Sequence, residues 1–189
     1  MLTMMPMAAC DGSNADPILP EQPGQPGNSD GGDEDDSTNP TNPIPGGNGR
    51  YLVLYCSRTG STERMAQQIQ QTLDCDILEV EPQTPYESDY NGMLNRAQEE
   101  LAAIRQGNYP AIKTSVEDFG NYDIVFVGYP IWYGSMATPM QTFLHNHASK
   151  LAGKRIALFA SSGSSGISAS VDEARTLCSG ATFTETLLF

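Results

Sequence analysis

Six consecutive residues, Ser57–Thr62 (SRTGST), set four hydroxyls around a single glycine. Ser57, Thr59, Ser61 and Thr62 can donate to an anion, and Gly60 permits backbone geometry closed to other residues. A helix opening directly after such a turn adds free N–H groups and the positive end of its dipole. Together these bind a phosphate without a metal or a lysine. The alternative is an ordinary hydroxyl-rich helix cap. Neither GxxxxGK[ST] nor GxGxxG occurs in the chain, so the two commonest phosphate loops are excluded. Arg58 is expected to offer its N–H to the ligand while its side chain stays in solvent.

Two further segments suit a flat-ring ligand. Tyr129–Ser135 (YPIWYGS) holds the only tryptophan. An exposed Trp132, with Tyr133 beside it, can stack on a ring while the backbone around Ile131 bonds the ring's edge. Pro130 and Gly134 would shape that loop. The competing reading has Trp132 and Tyr133 capping the core. Ser161–Gly166 (SSGSSG) is small enough at Ser161, Ser162, Gly163 and Gly166 for N–H groups to approach a ligand closely; otherwise it is a flexible connection. Tyr86 and Tyr90 are weaker candidates for the same ring.

Other reactive types are poorly placed. His145 and His147 stand two apart, which does not put them on one helix face, so a surface or helix-terminal role is expected. Cys10, Cys56, Cys75 and Cys178 fit no zinc or CxxC spacing. The last three are expected as small buried hydrophobes. No Ser–His–Asp arrangement falls on these loops, and neither a catalytic acid or base nor a metal site is assigned.

The elements that must position the three segments alternate in type. Tyr51–Cys56, Asp76–Val80, Asp123–Gly128 and Arg155–Ala160 are short apolar runs read as strands, with Thr182–Leu188 as a fifth. Helices are expected over Thr62–Leu73, Asn91–Gln106, from Pro139 past Leu144, and over Ser168–Cys178. In the second, the stripe Leu94, Ala97, Leu101 and Ile104 should face inward. Strand alternating with helix implies a parallel sheet covered on both faces. Ligands of such sheets bind beyond the carboxyl ends of the strands, where all three segments lie.

At this point the chain resembles the flavodoxin family. The family's phosphate loop, [ST]-x-T-G-x-T, is matched by Ser57, Thr59, Gly60 and Thr62. The run G-Y-P-x-W-[YW]-G looks like that of flavodoxin-type proteins related to NAD(P)H:quinone oxidoreductases. The resemblance covers residues 50–189. It implies a three-layer α/β fold with a five-stranded parallel sheet in the order 2-1-3-4-5, and FMN as cofactor. The phosphate would sit on Ser57–Thr62, and the ring between Tyr129–Gly134 and Ser161–Gly166. NAD(P)H or a redox partner protein would supply electrons, and a quinone could accept them. An electron carrier without small-molecule turnover, or a surface binding module without flavin, are the other expectations. The family's last helix has no counterpart after Thr182–Leu188, which points to a shortened product, a homodimer covering the gap, or a less stable domain.

Composition divides the chain. Eight of its 23 acidic residues and none of its ten basic ones precede Arg50, so residues 50–189 hold 15 acids against ten bases, a net charge of −5. No basic stripe exists to displace counterions, so nucleic acid is not an expected partner. Residues 11–49 contain seven prolines and eight glycines and read as a disordered acidic tether. Met1–Cys10 (MLTMMPMAAC) resembles the end of a bacterial lipoprotein signal peptide, with Ala8 and Ala9 before a lipidated Cys10. The implied location is the cell envelope, with membrane contact only through the lipid; the alternative is the cytoplasm. Export would separate the domain from NADPH, favouring a protein donor or the binding module.

Overall fold

The computed structural model describes Gly47 and residues 49–189. The signal-like decapeptide with Cys10, and the Pro/Gly-rich segment up to residue 46, lie outside the described residues. The first contact of the described chain is the Gly47 N–H, which donates to Asp76 at 3.1 Å.

The five expected parallel strands are present as β1 (Tyr51–Tyr55), β2 (Asp76–Glu79), β3 (Ile124–Trp132), β5 (Arg155–Ser161) and β6 (Thr182–Leu188). Their spatial order, β2-β1-β3-β5-β6, is the expected one. A short β4 (Ser135–Met136) is added, antiparallel to the end of β3. Four helices connect them: α1 (Ser61–Leu73), α2 (Tyr90–Ile104), α3 (Thr138–His147) and α4 (Ser168–Leu177).

The strands alternate with period two between two cores, as pleated backbone requires. Leu52, Leu54, Val125, Val127, Ile156 and Leu158 face α2, α3 and α4, while Val53, Tyr55, Ile77 and Phe159 face α1. Among the described residues α1 is the only helix on its face. Leu187, paired with Phe159 and therefore on that side, is 50% exposed. No helix of the described residues is long and apolar enough to span a membrane.

One boundary differs from the sequence reading with consequences for the site. β3 continues four residues beyond Gly128, so Tyr129–Trp132, expected as loop, is strand. Trp132 pairs with Ser135 across a tight hairpin. Its two central residues, Tyr133 (φ 52°) and Gly134 (φ 79°), are both left-handed, as the commonest two-residue hairpin turn demands. Pro130, which lacks an N–H, sits in β3 beside Ser161 of β5, and its carbonyl accepts from Ala137 at 3.1 Å.

Candidate functional site

Beyond the carboxyl ends of β1, β3 and β5 lies a cleft of about 640 Å³, within the range of small-molecule sites. The first wall is the hydroxyl run. Gly60 stands at φ 80° as the residue before α1, and the Ser57 hydroxyl accepts its N–H at 3.1 Å. No side chain caps α1, so the leading N–H groups of the helix are left for a ligand. Ser57, Arg58, Thr59, Ser61 and Thr62 line the cleft; Gly60 shapes the turn without lining it. Thr62 is buried, and its hydroxyl pairs with that of Ser161 at 2.9 Å, tying the first wall to the third.

Arg58 departs from expectation. Its side chain is half-buried and donates to the carbonyls of Ser88 at 3.1 Å and Asp89 at 3.3 Å, just ahead of α2. The guanidinium thus ties the hydroxyl turn to the chain entering α2. That entrance is capped internally, since the Asp89 carboxylate accepts from the Gly92 N–H at 2.7 Å.

The second wall is the β3–β4 hairpin, where Pro130, Ile131, Trp132 and Tyr133 line the cleft and Gly134 does not. Trp132 is buried, at 9% exposure, rather than exposed. Tyr86 covers it edge-on, with ring centroids 5.1 Å apart at 77°. Tyr133 is 54% exposed and its hydroxyl reaches the Leu94 carbonyl at 3.4 Å. The hairpin is held from behind by Glu173 of α4, which accepts the Met136 N–H at 2.8 Å.

The third wall is Ser161–Ser165; Gly163 lines the cleft and Gly166 does not. The Ser162 hydroxyl accepts the Ser165 N–H at 2.8 Å, closing a local turn, and the Ser162 N–H donates to the Phe189 carbonyl at 3.1 Å.

Tyr90, a weaker candidate from sequence, closes the cleft together with Met93, Leu94 and Phe189, which sequence reasoning missed. Tyr90, Met93 and Leu94 line it from the first turn of α2, and Phe189 from the end of β6. The signal for the former was the i, i+3, i+4 spacing at the start of a helix. The inward stripe is Met93, Ala97 and Leu101, which turns Leu94 toward the cleft. Tyr86 lies outside this cleft and lines a neighbouring cavity of about 550 Å³, which shares Ser57–Thr59, Pro130 and Trp132 with it.

Charge and protonation separate the two spaces. The smaller cavity contains Glu79, Glu81 and Lys113. Burial, then Glu81 and Glu63, raise the Glu79 carboxyl above the usual range. The larger cleft has no acidic side chain among its lining residues. Cys75 and Cys178 are buried with thiols pushed up to about 11 by desolvation, and burial likewise raises Cys56. The expected role as small hydrophobes holds, and none offers a thiolate. His147 ends α3, as one expectation had it, but is buried, with Nε2 accepting the Val116 N–H at 3.1 Å. His145 is exposed and stacks on Tyr109. Among the described residues no group of three His, Cys, Asp or Glu could hold a metal.

The arrangement therefore fits a ligand with an anionic end and a flat ring. A helix opening without a side-chain cap leaves donors for an anion, and Trp132, Tyr133 and Tyr90 flank the remaining space.

Comparison with known proteins gives a consistent picture. The family model described as flavodoxin matches residues 50–189. No curated protein matches the chain. A protein from Bacteroides eggerthii, described as a flavoprotein, is 34% identical, with a TM-score of 0.66 over 74% of this chain and 87% of that one. A flavoprotein from Lactobacillus acidophilus, solved in complex with FMN, is 26% identical, with a TM-score of 0.64 over 74% and 92%. A third, from Bacteroides uniformis and also described as a flavoprotein, is 29% identical, with a TM-score of 0.64 over 76% and 90%.

Proposed function

This chain belongs to the flavodoxin family, and from that premise we propose that it is a flavoprotein whose cofactor is FMN and whose work is electron transfer. The observation that carries this reading is the convergence of three walls on one cleft: an anion-receiving turn, an aromatic hairpin and a small-residue loop. The hydroxyls of Ser57, Thr59, Ser61 and Thr62 and the first N–H groups of α1 would hold the phosphate. Trp132 and Tyr133 would bound the ring on one side, and Ser161–Gly163 would meet its edge. FMN supplies the redox chemistry when bound; the protein supplies position and electrostatics.

The finer reading is an NAD(P)H-dependent oxidoreductase that passes electrons to a quinone. Support comes from the aromatic rim of the cleft, where Tyr90 (63% exposed) and Tyr133 (54% exposed) stand open to solvent. NADPH oxidation by the FMN-loaded protein with menadione as acceptor tests it. Turnover well above that of free FMN is the expected result. Absence of turnover in a protein that holds FMN assigns a carrier served by a redox partner protein. A protein that stays colourless on FMN addition overturns the flavin reading.

A further inference from the structure

Three polar residues outside the cleft, Arg96, Glu100 and Thr138, converge on one ring that stands behind it, that of Tyr86. The Glu100 carboxylate, on α2, accepts from the Tyr86 hydroxyl and, at 2.5 Å, from that of Thr138, the first residue of α3. The Tyr86 and Thr138 hydroxyls are themselves 2.7 Å apart. Glu100 also pairs with Arg96 one turn back, Nε to Oε1 at 2.8 Å. The Arg96 guanidinium lies over the Tyr86 ring, 4.2 Å from its centroid, and its two terminal nitrogens bond the carbonyls of Pro85 and Thr84 at 2.8 and 2.9 Å. Tyr86 is thereby held at its hydroxyl, over its face and through the backbone before it. Burial raises the phenol's pKa further still, so it remains a proton donor at physiological pH.

What this ring touches is Trp132, edge-on at 5.1 Å. Trp132 lines both the cleft and the smaller cavity, while Arg96, Glu100 and Thr138 line neither. A surface ion pair contributes little to stability, but this one is mostly buried, with side chains 21% and 13% exposed. Within a network of partly buried, mutually paired groups, each bond fixes its neighbours. A device this connected, anchored on two helices and ending on a single aromatic face, has an output: the plane in which Trp132 stands.

We propose that Arg96, Glu100, Tyr86 and Thr138 form a positioning network that fixes the Trp132 ring and thereby sets the reduction potential of the flavin. The second half rests on the reading that the cleft holds FMN. The ring's environment tunes such a potential through stacking and local polarity. A Trp132 free to rock would stack less well.

The test separates the two halves. Trp132 is the only tryptophan, so emission of the full chain excited beyond the tyrosine absorption band reports on it alone. In protein free of FMN, Tyr86→Phe and Thr138→Val each remove a hydroxyl while leaving the shape. The loss of a buried hydrogen bond should raise acrylamide quenching of Trp132 roughly twofold. Thr138→Ser, which keeps the hydroxyl, should behave as the parent. In FMN-loaded protein, the same two variants should shift the midpoint potential in the same direction, again with Thr138→Ser unmoved. Unchanged quenching in Tyr86→Phe and Thr138→Val overturns the positioning role, whatever the flavin does. Raised quenching with an unmoved potential overturns the tuning role. A parent protein that takes no FMN sinks the flavin reading, and with it the tuning role, and leaves the quenching result to decide the network.

Discussion

The hydroxyl end of the cleft is one run of chain, Ser57–Thr62, with its geometry fixed by Gly60 and its donors supplied by the helix it opens. The aromatic end is assembled. Trp132 comes from β3, its cover Tyr86 from the segment before α2, and the groups that hold Tyr86 from α2 and α3. The first is mostly half-buried and leaves N–H groups unspent; in the second Trp132 and Thr138 are buried, Tyr86, Arg96 and Glu100 are half-buried, and the polar groups are paired with one another. A site that must accept an anion keeps donors in reserve, at some cost to local stability. A wall that must present a ring at one angle is woven into the core. Changes at the two ends should therefore separate into loss of affinity and loss of stability.

The largest expected effect is at the aromatic end. Trp132→Ala removes a buried indole and should destabilise the domain by about 3–5 kcal/mol, read as a lower urea midpoint. A loss below about 1 kcal/mol would place Trp132 outside the core and erase the contrast. Next is Ser61→Asp, at the first position of α1. A carboxylate there complements the helix dipole, so thermal stability should hold or rise slightly. The same charge should repel a phosphate by about 3–4 kcal/mol, weakening FMN at least a hundredfold. Stability and affinity falling together would show that the hydroxyl turn belongs to the core after all.

Gly60→Ala sharpens the comparison further. The nearest atoms to an added Cβ lie 3.7 Å away, so there is room for it. The cost comes only from φ 80°, roughly 1–2 kcal/mol, and should appear in both the unfolding midpoint and the FMN titration. A neutral result in both would mean the turn relaxes freely.

His147 lies at neither end and gives the smallest effect. Burial lowers its pKa below 6.5, outweighing the Phe143 carbonyl that favours the protonated form. The unfolded chain therefore takes up a proton before the folded one does. Stability should fall as pH drops below about 6.5, until the folded state protonates as well. Thermal midpoints at about pH 7.5 and 5.5 should differ less in His147→Gln than in the parent. An equal slope in both would shift the acid sensitivity elsewhere.

The contrast also explains what could be read from sequence. Ser57–Thr62 was legible because its chemistry and its geometry lie in six adjacent residues. The strands were legible because each is a short apolar run, and the order of the sheet followed from the family resemblance. Tyr129–Trp132 was misjudged because Pro130 and Gly134 mark turns, whereas only Tyr133–Gly134 turns and Pro130 fits within β3. Trp132 as a cap of the core was one of two readings, and the sequence could not decide for it because its cover, Tyr86, stands 46 residues upstream. Likewise Arg58 read as solvated, since the carbonyls it bonds at Ser88 and Asp89 are local only in the fold. Phe189 reaches the cleft through the pairing of β6 with β5, a relation no local pattern encodes.

The central claim is that a hydroxyl-rich turn opening α1 grips the phosphate of a flavin whose ring lies against Trp132. Parallel titrations of the full chain with FMN and with riboflavin, followed by quenching of the single tryptophan, test it most directly. FMN should quench and should bind about a hundredfold more tightly than riboflavin, because only FMN carries the anion. Equal affinities for the two, or no quenching by FMN, would contradict the account.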